Sequence, residues 1–265
     1  MAKIGFVGMG NMGYAMLKGA LRTFKASDII FSARNLDKMK KISNETEVEY
    51  VTSNAECVNR TKYVILAVKP QMFDEVFESI CNVVTKNHVI ISLAPGITCE
   101  QIREKLGYDL RIVRSMPNTP ALVGEGMTGV SYDETLFTEE EKDTIERIFS
   151  SVGKMKIVPE KLMSAVVCAS GSSPAYVYMF IEALADGAVK CGMPRSDAYE
   201  FVAQTVLGSA KMVLETKAHP GILKDMVCSP GGTTIAAVKE LEDNGFRSAL
   251  LKATDACYNK CENIK

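Results

Sequence analysis

Apolar and polar positions follow two different rhythms along this chain, and the change of rhythm divides it in two. In the first part, short apolar runs (Lys3–Gly8, Ile29–Ser32, Tyr63–Val68, Val89–Leu93, Ile112–Met116) alternate with stretches of helical spacing such as Tyr14–Phe24 and the polar segment from Leu36. Runs this short and this rich in β-branched residues predict strands buried on both faces. Strands alternating with helices predict a doubly wound parallel sheet. Gly129–Tyr132 and Met155–Val158 are expected to finish it, with a helix between them that opens on Thr138, Glu139, Glu140 and Glu141, acidic residues suited to the positive end of a helix.

From about Leu162 the strand-like runs vanish. Ala, Leu, Met and Glu dominate long helical stretches, broken by Gly-Ser-Ser-Pro at 171–174, Gly-Met-Pro at 192–194, His-Pro-Gly at 219–221 and Ser-Pro-Gly-Gly at 229–232. The expected class is α/β: an N-terminal Rossmann doubly wound sheet over 1–160 and an all-helical domain over 161–265. Tyr176, Met179, Phe180, Ala183, Leu184 and Gly187 recur at helical spacing, which predicts an apolar helix face for a core or a subunit seam.

Composition changes this picture little. The 265 residues are 47% hydrophobic and 24% charged with net charge −1, so neither nucleic acid nor an anionic membrane surface finds an electrostatic footprint. The chain runs from Met1 straight into an apolar strand without a secretory pattern. The apolar stretch 175–189 carries Glu182 and Asp186, which argues against a membrane span. The expected location is the cytoplasm. Eight cysteines lie scattered without a C-x-x-C pair and read as reduced thiols. Cys257 and Cys261 share a helix face, but two thiolates make a poor metal site, and His88 and His219 stand in no ligand spacing. No metal is expected.

The candidate chemistry starts at the first strand–helix turn. Gly8-Met9-Gly10-Asn11-Met12-Gly13 is a complete G-x-G-x-x-G between a strand and a helix. Small residues there let the backbone approach a pyrophosphate, which the helix N-terminus holds through free N–H groups. An NAD enzyme usually places Asp or Glu at the end of the second strand; this chain reads Phe31-Ser32-Ala33-Arg34-Asn35. Arg34 offers a planar fork of donors for a phosphate and Ser32 a hydroxyl, which favours NADPH over NADH. Ala67-Val68-Lys69-Pro70, Ala94-Pro95-Gly96 and Met116-Pro117-Asn118 follow later strands, on the carboxyl edge where open α/β sheets bind ligands.

FVGMGNMG (6–13), AVKP (67–70), RSMPNTP (114–120), SGSSPAY (170–176) and HPGILKDMVCSPGGTTIAAVKELE (219–242) together resemble the pyrroline-5-carboxylate reductase family, in order and spacing, over essentially the whole chain. The resemblance implies reduction of a cyclic imine with a nicotinamide cofactor, the last step of proline synthesis. It also implies that the helical domain dimerises. On this reading Phe6, Gly8, Met9, Gly10, Asn11, Met12, Gly13, Ser32, Arg34, Asn54, Ala67, Val68, Lys69, Pro70, Ala94, Gly96 and Asn118 are the cofactor-side positions. Val227, Ser229, Gly231, Gly232, Thr233 and Thr234 are the substrate-side ones. Gly231 and Gly232 free the backbone to curl so that N–H groups cradle a carboxylate. Thr234, by resemblance, contacts the ring nitrogen and is the catalytic candidate. Met226 stands where some members carry a polar residue.

The catalytic inventory is otherwise thin. His88 and His219 read as structural, and Lys69 as a turn residue. A protonated imine already carries its proton, so its reduction needs positioning and fixed dipoles more than a strong acid–base group. Two rivals remain at this point. A β-hydroxyacid dehydrogenase would show a catalytic Lys followed by Asn in a glycine-rich helix, a context that Lys190 and Lys211 lack. A non-catalytic dinucleotide sensor would bind NADPH without turnover.

Overall fold

In the computed structural model, described here for residues 3–263, strands and helices alternate up to Ile157 and helices follow. The order is β1 (Ile4–Val7), α1 (Asn11–Ala20), β2 (Ile29–Ser32), α2 (Leu36–Thr46), β3 (Glu49–Val51), α3 (Asn54–Asn59), β4 (Tyr63–Leu66), α4 (Phe73–Ile80), β5 (Val89–Ser92), α5 (Cys99–Leu106) and β6 (Arg111–Met116). Then come β7 (Gly126–Ser131), α6 (Glu139–Ser150), β8 (Gly153–Ile157), α7 (Met163–Val166), α8 (Ser173–Lys190), α9 (Arg195–Thr216), α10 (Pro220–Val227), α11 (Thr233–Asp243) and α12 (Phe246–Glu262).

Among the described residues the strands form one eight-stranded sheet in the order β3-β2-β1-β4-β5-β6-β7-β8. Chain order reverses at β1, the switch point beside which such sheets bind dinucleotides. β1, β2, β4 and β5 are buried at every position, as continuous apolar strands require when helices cover both faces. Phe6, Phe31, Met16, Ile65 and Phe149 anchor the core on one face; Val7, Ile30, Leu66, Phe77 and Ile102 anchor it on the other.

Two expectations need correction. The sheet is not wholly parallel: β7 pairs antiparallel with β6, Met116 opposite Gly129 and Arg114 opposite Ser131. The link from Met116 to Gly126 holds only a short 3-10 segment at Thr119–Val123, too little for the crossover that a parallel neighbour needs. β3 was also not foreseen. Its Glu49 is exposed, Tyr50 half-buried and only Val51 buried, so it shows no apolar run to read.

One compact unit extends to Ser172 and takes in the chain again from Cys257; the other is Ser173–Ala256. The expected boundary lay earlier, at 160. In the first unit, Val167–Gly171 winds as a π-helix, and Cys261 and Cys257 pack with Met116, Met163 and Val167. The second unit is helical, and its core gathers on Ala185, Ala198 and Val202 between α8 and α9. Phe180 packs against Phe246 with ring centroids 6.4 Å apart. Met179, Phe201, Leu214 and Leu251 stay 63–68% exposed. The segment Glu160–Lys190 is long and apolar enough to cross a membrane by length and composition, yet the π turn interrupts it before α8 begins.

Candidate functional site

β1 ends at Val7 and α1 begins at Asn11, so the first three residues of the glycine motif form a tight turn. Gly8 has φ +97°, a conformation that favours glycine. A Cβ there would lie 2.5 Å from Val68 Cγ1 and 2.8 Å from the Ala67 carbonyl oxygen. A Cβ on Gly13 would lie 2.6 Å from the Gly8 carbonyl oxygen. These two glycines therefore pack the turn onto the exit of β4, where Ala67 N–H donates to the Val7 carbonyl at 2.8 Å. Gly10 differs: a Cβ there meets nothing within 4 Å, and no side chain caps α1 at this residue. The start of α1 thus has no side-chain cap and free space beside Gly10, as a pyrophosphate site requires.

The other cofactor-side positions divide by environment. Lys69 is exposed and caps the short turn Pro70–Met72, with no acidic partner among the described residues. Ala94 is buried at the exit of β5, and Gly96 follows with φ +78°. Arg34 is exposed at the exit of β2, again without an acidic partner among the described residues, its guanidinium open to an incoming anion. Asn35 caps α2 by accepting from Lys38 N–H at 2.8 Å.

Four positions behave otherwise than read from sequence. Phe6 is 0% exposed in the core, so its side chain faces no ligand, and the side chain of Met9 is buried as well. Ser32 does not offer its hydroxyl outward: it is buried and donates to Asn54 Oδ1 at 2.8 Å. Asn118 is buried, and both ends of its amide are engaged: Oδ1 accepts from Met127 N–H at 2.9 Å and Nδ2 donates to the Ser170 carbonyl at 3.1 Å. Asn118 thereby ties the start of β7 to the π turn. Beneath Ser32, burial pushes the Cys57 thiol up to about 12, which leaves it an inert filler.

In the helical unit, α10 ends at Val227 and α11 starts at Thr233. His219 caps α10, its Nδ1 accepting from Gly221 N–H at 3.0 Å. Val227, a substrate-side position by resemblance, lies outside the loop: it belongs to the last turn of α10, where a helical N–H is ordinarily spent on the preceding turn. The loop is 228–232. Gly231 takes φ +69°, and Gly232 N–H donates to the Ser229 carbonyl at 3.0 Å. Gly232 is the N-cap of α11 and supplies no side-chain cap. The loop therefore curls, and the first turn of α11, with the exposed hydroxyls of Thr233 and Thr234, presents donors to solvent. Met226 is 73% exposed.

His88 plays the structural part expected of it. Thr85 N–H donates to Nδ1 at 2.9 Å, so Nε2 carries the proton and faces the Val58 carbonyl at 3.2 Å. No group of three or more His, Cys, Asp or Glu side chains that could hold a metal occurs among the described residues. Ser79 was not read from the sequence as a site residue, yet its Oγ accepts from Asn54 Nδ2 at 3.0 Å.

Residues 160–264 match the family model for pyrroline-5-carboxylate reductase dimerisation, and residues 3–96 the model for NADP oxidoreductase, coenzyme F420-dependent. The pyrroline-5-carboxylate reductase of Escherichia coli (strain K12) is 45% identical over 264 residues, covering 99% of this chain and 98% of that protein. The pyrroline-5-carboxylate reductase of Methanosarcina acetivorans is 42% identical, covering 95% of this chain and 93% of that protein. Among solved structures, Plasmodium falciparum pyrroline carboxylate reductase with NADP bound superposes with a TM-score of 0.89. It is 32% identical, with 98% of this chain and 97% of that chain covered.

Proposed function

The chain belongs to the pyrroline-5-carboxylate reductase family, and on that premise we propose that it reduces 1-pyrroline-5-carboxylate to L-proline with NADPH, the last step of proline biosynthesis. The observation that carries this reading is the pair of open helix N-termini on glycine N-caps, Gly10 before α1 and Gly232 before α11. The first suits a dinucleotide pyrophosphate and the second a small carboxylate. The space beside Gly10 and the exposed Arg34, which has no acidic partner among the described residues, fit NADPH, which supplies the hydride when bound.

The chain's own residues then have separate tasks. Gly8, Gly10 and Gly13 bring the backbone against the pyrophosphate, and the N-terminus of α1 holds its charge. Arg34 binds the 2′-phosphate through its guanidinium fork, and Asn54 binds the adjoining ribose. Lys69, Pro70, Ala94 and Gly96 line the carboxyl edge of the sheet. The first-turn N–H groups of α11 bind the substrate carboxylate. The Thr234 hydroxyl holds the proton at the ring nitrogen, so that nitrogen gains no negative charge as hydride reaches the adjacent carbon. The C=N double bond becomes a C–N single bond with one new C–H bond, the nitrogen keeping the proton it already carries, and no further acid–base residue is needed.

The exposed apolar side chains of the helical unit suit burial by a second copy, and we propose a homodimer, from which a higher oligomer can be built, that works in the cytoplasm without membrane or nucleic acid. The test is loss of 340 nm absorbance from NADPH on adding pyrroline-5-carboxylate, with Thr234→Ala alongside. Turnover that falls about 10²-fold in the variant while NADPH binding survives supports the assignment. NADPH binding by the wild-type protein without turnover on either nicotinamide refutes it in favour of a dinucleotide sensor.

A further inference from the structure

We infer that Ser32 and Ser79 are positioning residues for the cofactor. They clamp the Asn54 amide from both ends and fix which end of it faces the adenine ribose. The inference rests on the reading of the β2–β3 edge as the ribose side of an NADPH site.

The geometry is a short chain of hydrogen bonds with a set polarity. Ser79 Oγ donates to the Val76 carbonyl at 2.7 Å, and a carbonyl can only accept. The hydroxyl proton of Ser79 is thus committed, so Ser79 receives its second bond from the Asn54 amide nitrogen, at 3.0 Å. That choice places Oδ1 of Asn54 toward Ser32, whose hydroxyl donates to it at 2.8 Å. The Val76 carbonyl, itself on α4, therefore decides through Ser79 the orientation of an amide on α3. One N–H and one oxygen lone pair of Asn54 remain, the N–H being a donor for ribose or phosphate oxygens.

The surroundings favour this set of roles. Ser32 closes β2 and is 1% exposed, which leaves it able to orient a neighbour but not to touch a ligand. Ser53 caps α3 by accepting from Glu56 N–H at 3.4 Å, so the helix start that carries Asn54 is itself fixed. Asn54 stands half-buried just past the end of β3, on the carboxyl edge of the sheet next to the end of β2, the edge on which open α/β sheets bind ligands.

The experiment measures calorimetric binding of 2′,5′-ADP, a fragment that carries the adenosine and 2′-phosphate without nicotinamide. The same proteins give kcat at saturating NADPH and imine, and Tm. Ser79→Ala is expected to weaken 2′,5′-ADP about threefold, since the bond it removes is partly in water and worth less than a buried one, with kcat and Tm unchanged. Ser79→Thr, which keeps the hydroxyl, is expected to bind as the wild type. Ser32→Ala is expected to weaken the fragment about tenfold, because the half-buried Asn54 amide oxygen loses the donor that the buried Ser32 hydroxyl supplies. Wild-type affinity for 2′,5′-ADP in Ser79→Ala, or equal losses in affinity, kcat and Tm, would overturn the inference. So would absence of 2′,5′-ADP binding by the wild-type protein. A wild-type protein that binds 2′,5′-ADP but does not reduce the imine would instead sink the proposed reaction and leave the clamp standing.

Discussion

Gly10→Ala separates the chemistry of the dinucleotide turn from its packing. Gly10 has φ −74° and ψ −168°, a conformation alanine adopts without strain, and the added methyl would meet no protein atom within 4 Å. Removing a glycine from the unfolded ensemble stabilises by roughly 0.4–1 kcal/mol, while alanine is a poorer N-cap than glycine by an amount of similar size. The two effects offset, so Tm is expected to stay within about 3 °C of the wild type. The NADPH site should not stay the same. The methyl would occupy the space that a pyrophosphate needs against the N-terminus of α1, and the Kd for NADPH is expected to rise at least tenfold, or about 1.4 kcal/mol.

Gly13→Ala is the matched control. Its Cβ would sit 2.6 Å from the Gly8 carbonyl oxygen and 3.1 Å from Ala67 Cβ, and backbone cannot swing aside as a flexible side chain does. Overpacking of this kind costs about 1–3 kcal/mol, or roughly 2–12 °C in Tm. Thermal unfolding and quenching of NADPH fluorescence, measured on the same samples, give both quantities. Gly10→Ala with unchanged stability and unchanged NADPH affinity would refute the reasoning, because the open space at Gly10 would then be no ligand space.

Other outcomes follow from single groups. Arg34→Ala is expected to raise KM for NADPH at least tenfold and to change KM for NADH little; equal effects on the two cofactors would remove Arg34 from the 2′-phosphate. Glu141 is 1% exposed and accepts from Thr138 N–H at 3.0 Å, while its other oxygen pairs with Lys62 at 2.8 Å and with Arg111. Glu141→Gln is therefore expected to cost about 2 kcal/mol at pH 7, seen as a Tm lower by about 4–8 °C. Burial alone would raise the Glu141 carboxyl, but Lys62, the Thr138 N–H and Arg111 outweigh it and hold the group below its ordinary 4.5. A depressed carboxyl stabilises above its unfolded pKa and loses that contribution as pH falls through the folded value. The gap in Tm between wild type and Glu141→Gln should thus be constant above about pH 5 and close on further acidification; a gap that widens there would contradict the ion-pair reading.

What the sequence disclosed and what it withheld follow from the range of the interactions involved. The glycine turn was legible because its requirements are local: a strand, a tight φ at Gly8 and a helix start all fall within ten residues. The continuous apolar strands β4 and β5 were legible for the same reason. The fate of polar side chains was not, because it depends on strand order. Ser32 and Asn54 meet only because β3 lies beside β2, and Ser79 reaches Asn54 from a helix that follows a different strand. Asn118 looked like an edge residue because it follows β6, yet the antiparallel return of β7 turns its amide to Met127. The length of the link between β6 and β7 was a usable signal for that return. No comparable signal marked β3, with its exposed Glu49 and half-buried Tyr50.

The pattern of helix caps bears on why the two turns proposed to bind anions were readable as glycine motifs. Where a helix start serves only the fold, this chain tends to satisfy it with a side chain: Asn35, Ser53, Thr98, Thr138 and His219 each accept a first-turn N–H. α4, α7 and α9 begin without such a bond, but on Met72, Leu162 and Pro194, whose side chains fill the position that a glycine leaves open. Glycine holds the N-cap at α1 and α11; Gly245 also precedes α12, its carbonyl accepting from Ala249 N–H at 2.9 Å, but with φ +73° it makes the tight turn out of α11. Leaving those N–H groups without a side-chain cap costs each helix only a few tenths of a kcal/mol relative to Ser or Asn. A bound anion returns that energy and adds the helix dipole term. On the proposed reading, the glycine that slightly weakens each of these two helix starts is also what leaves room for the anion.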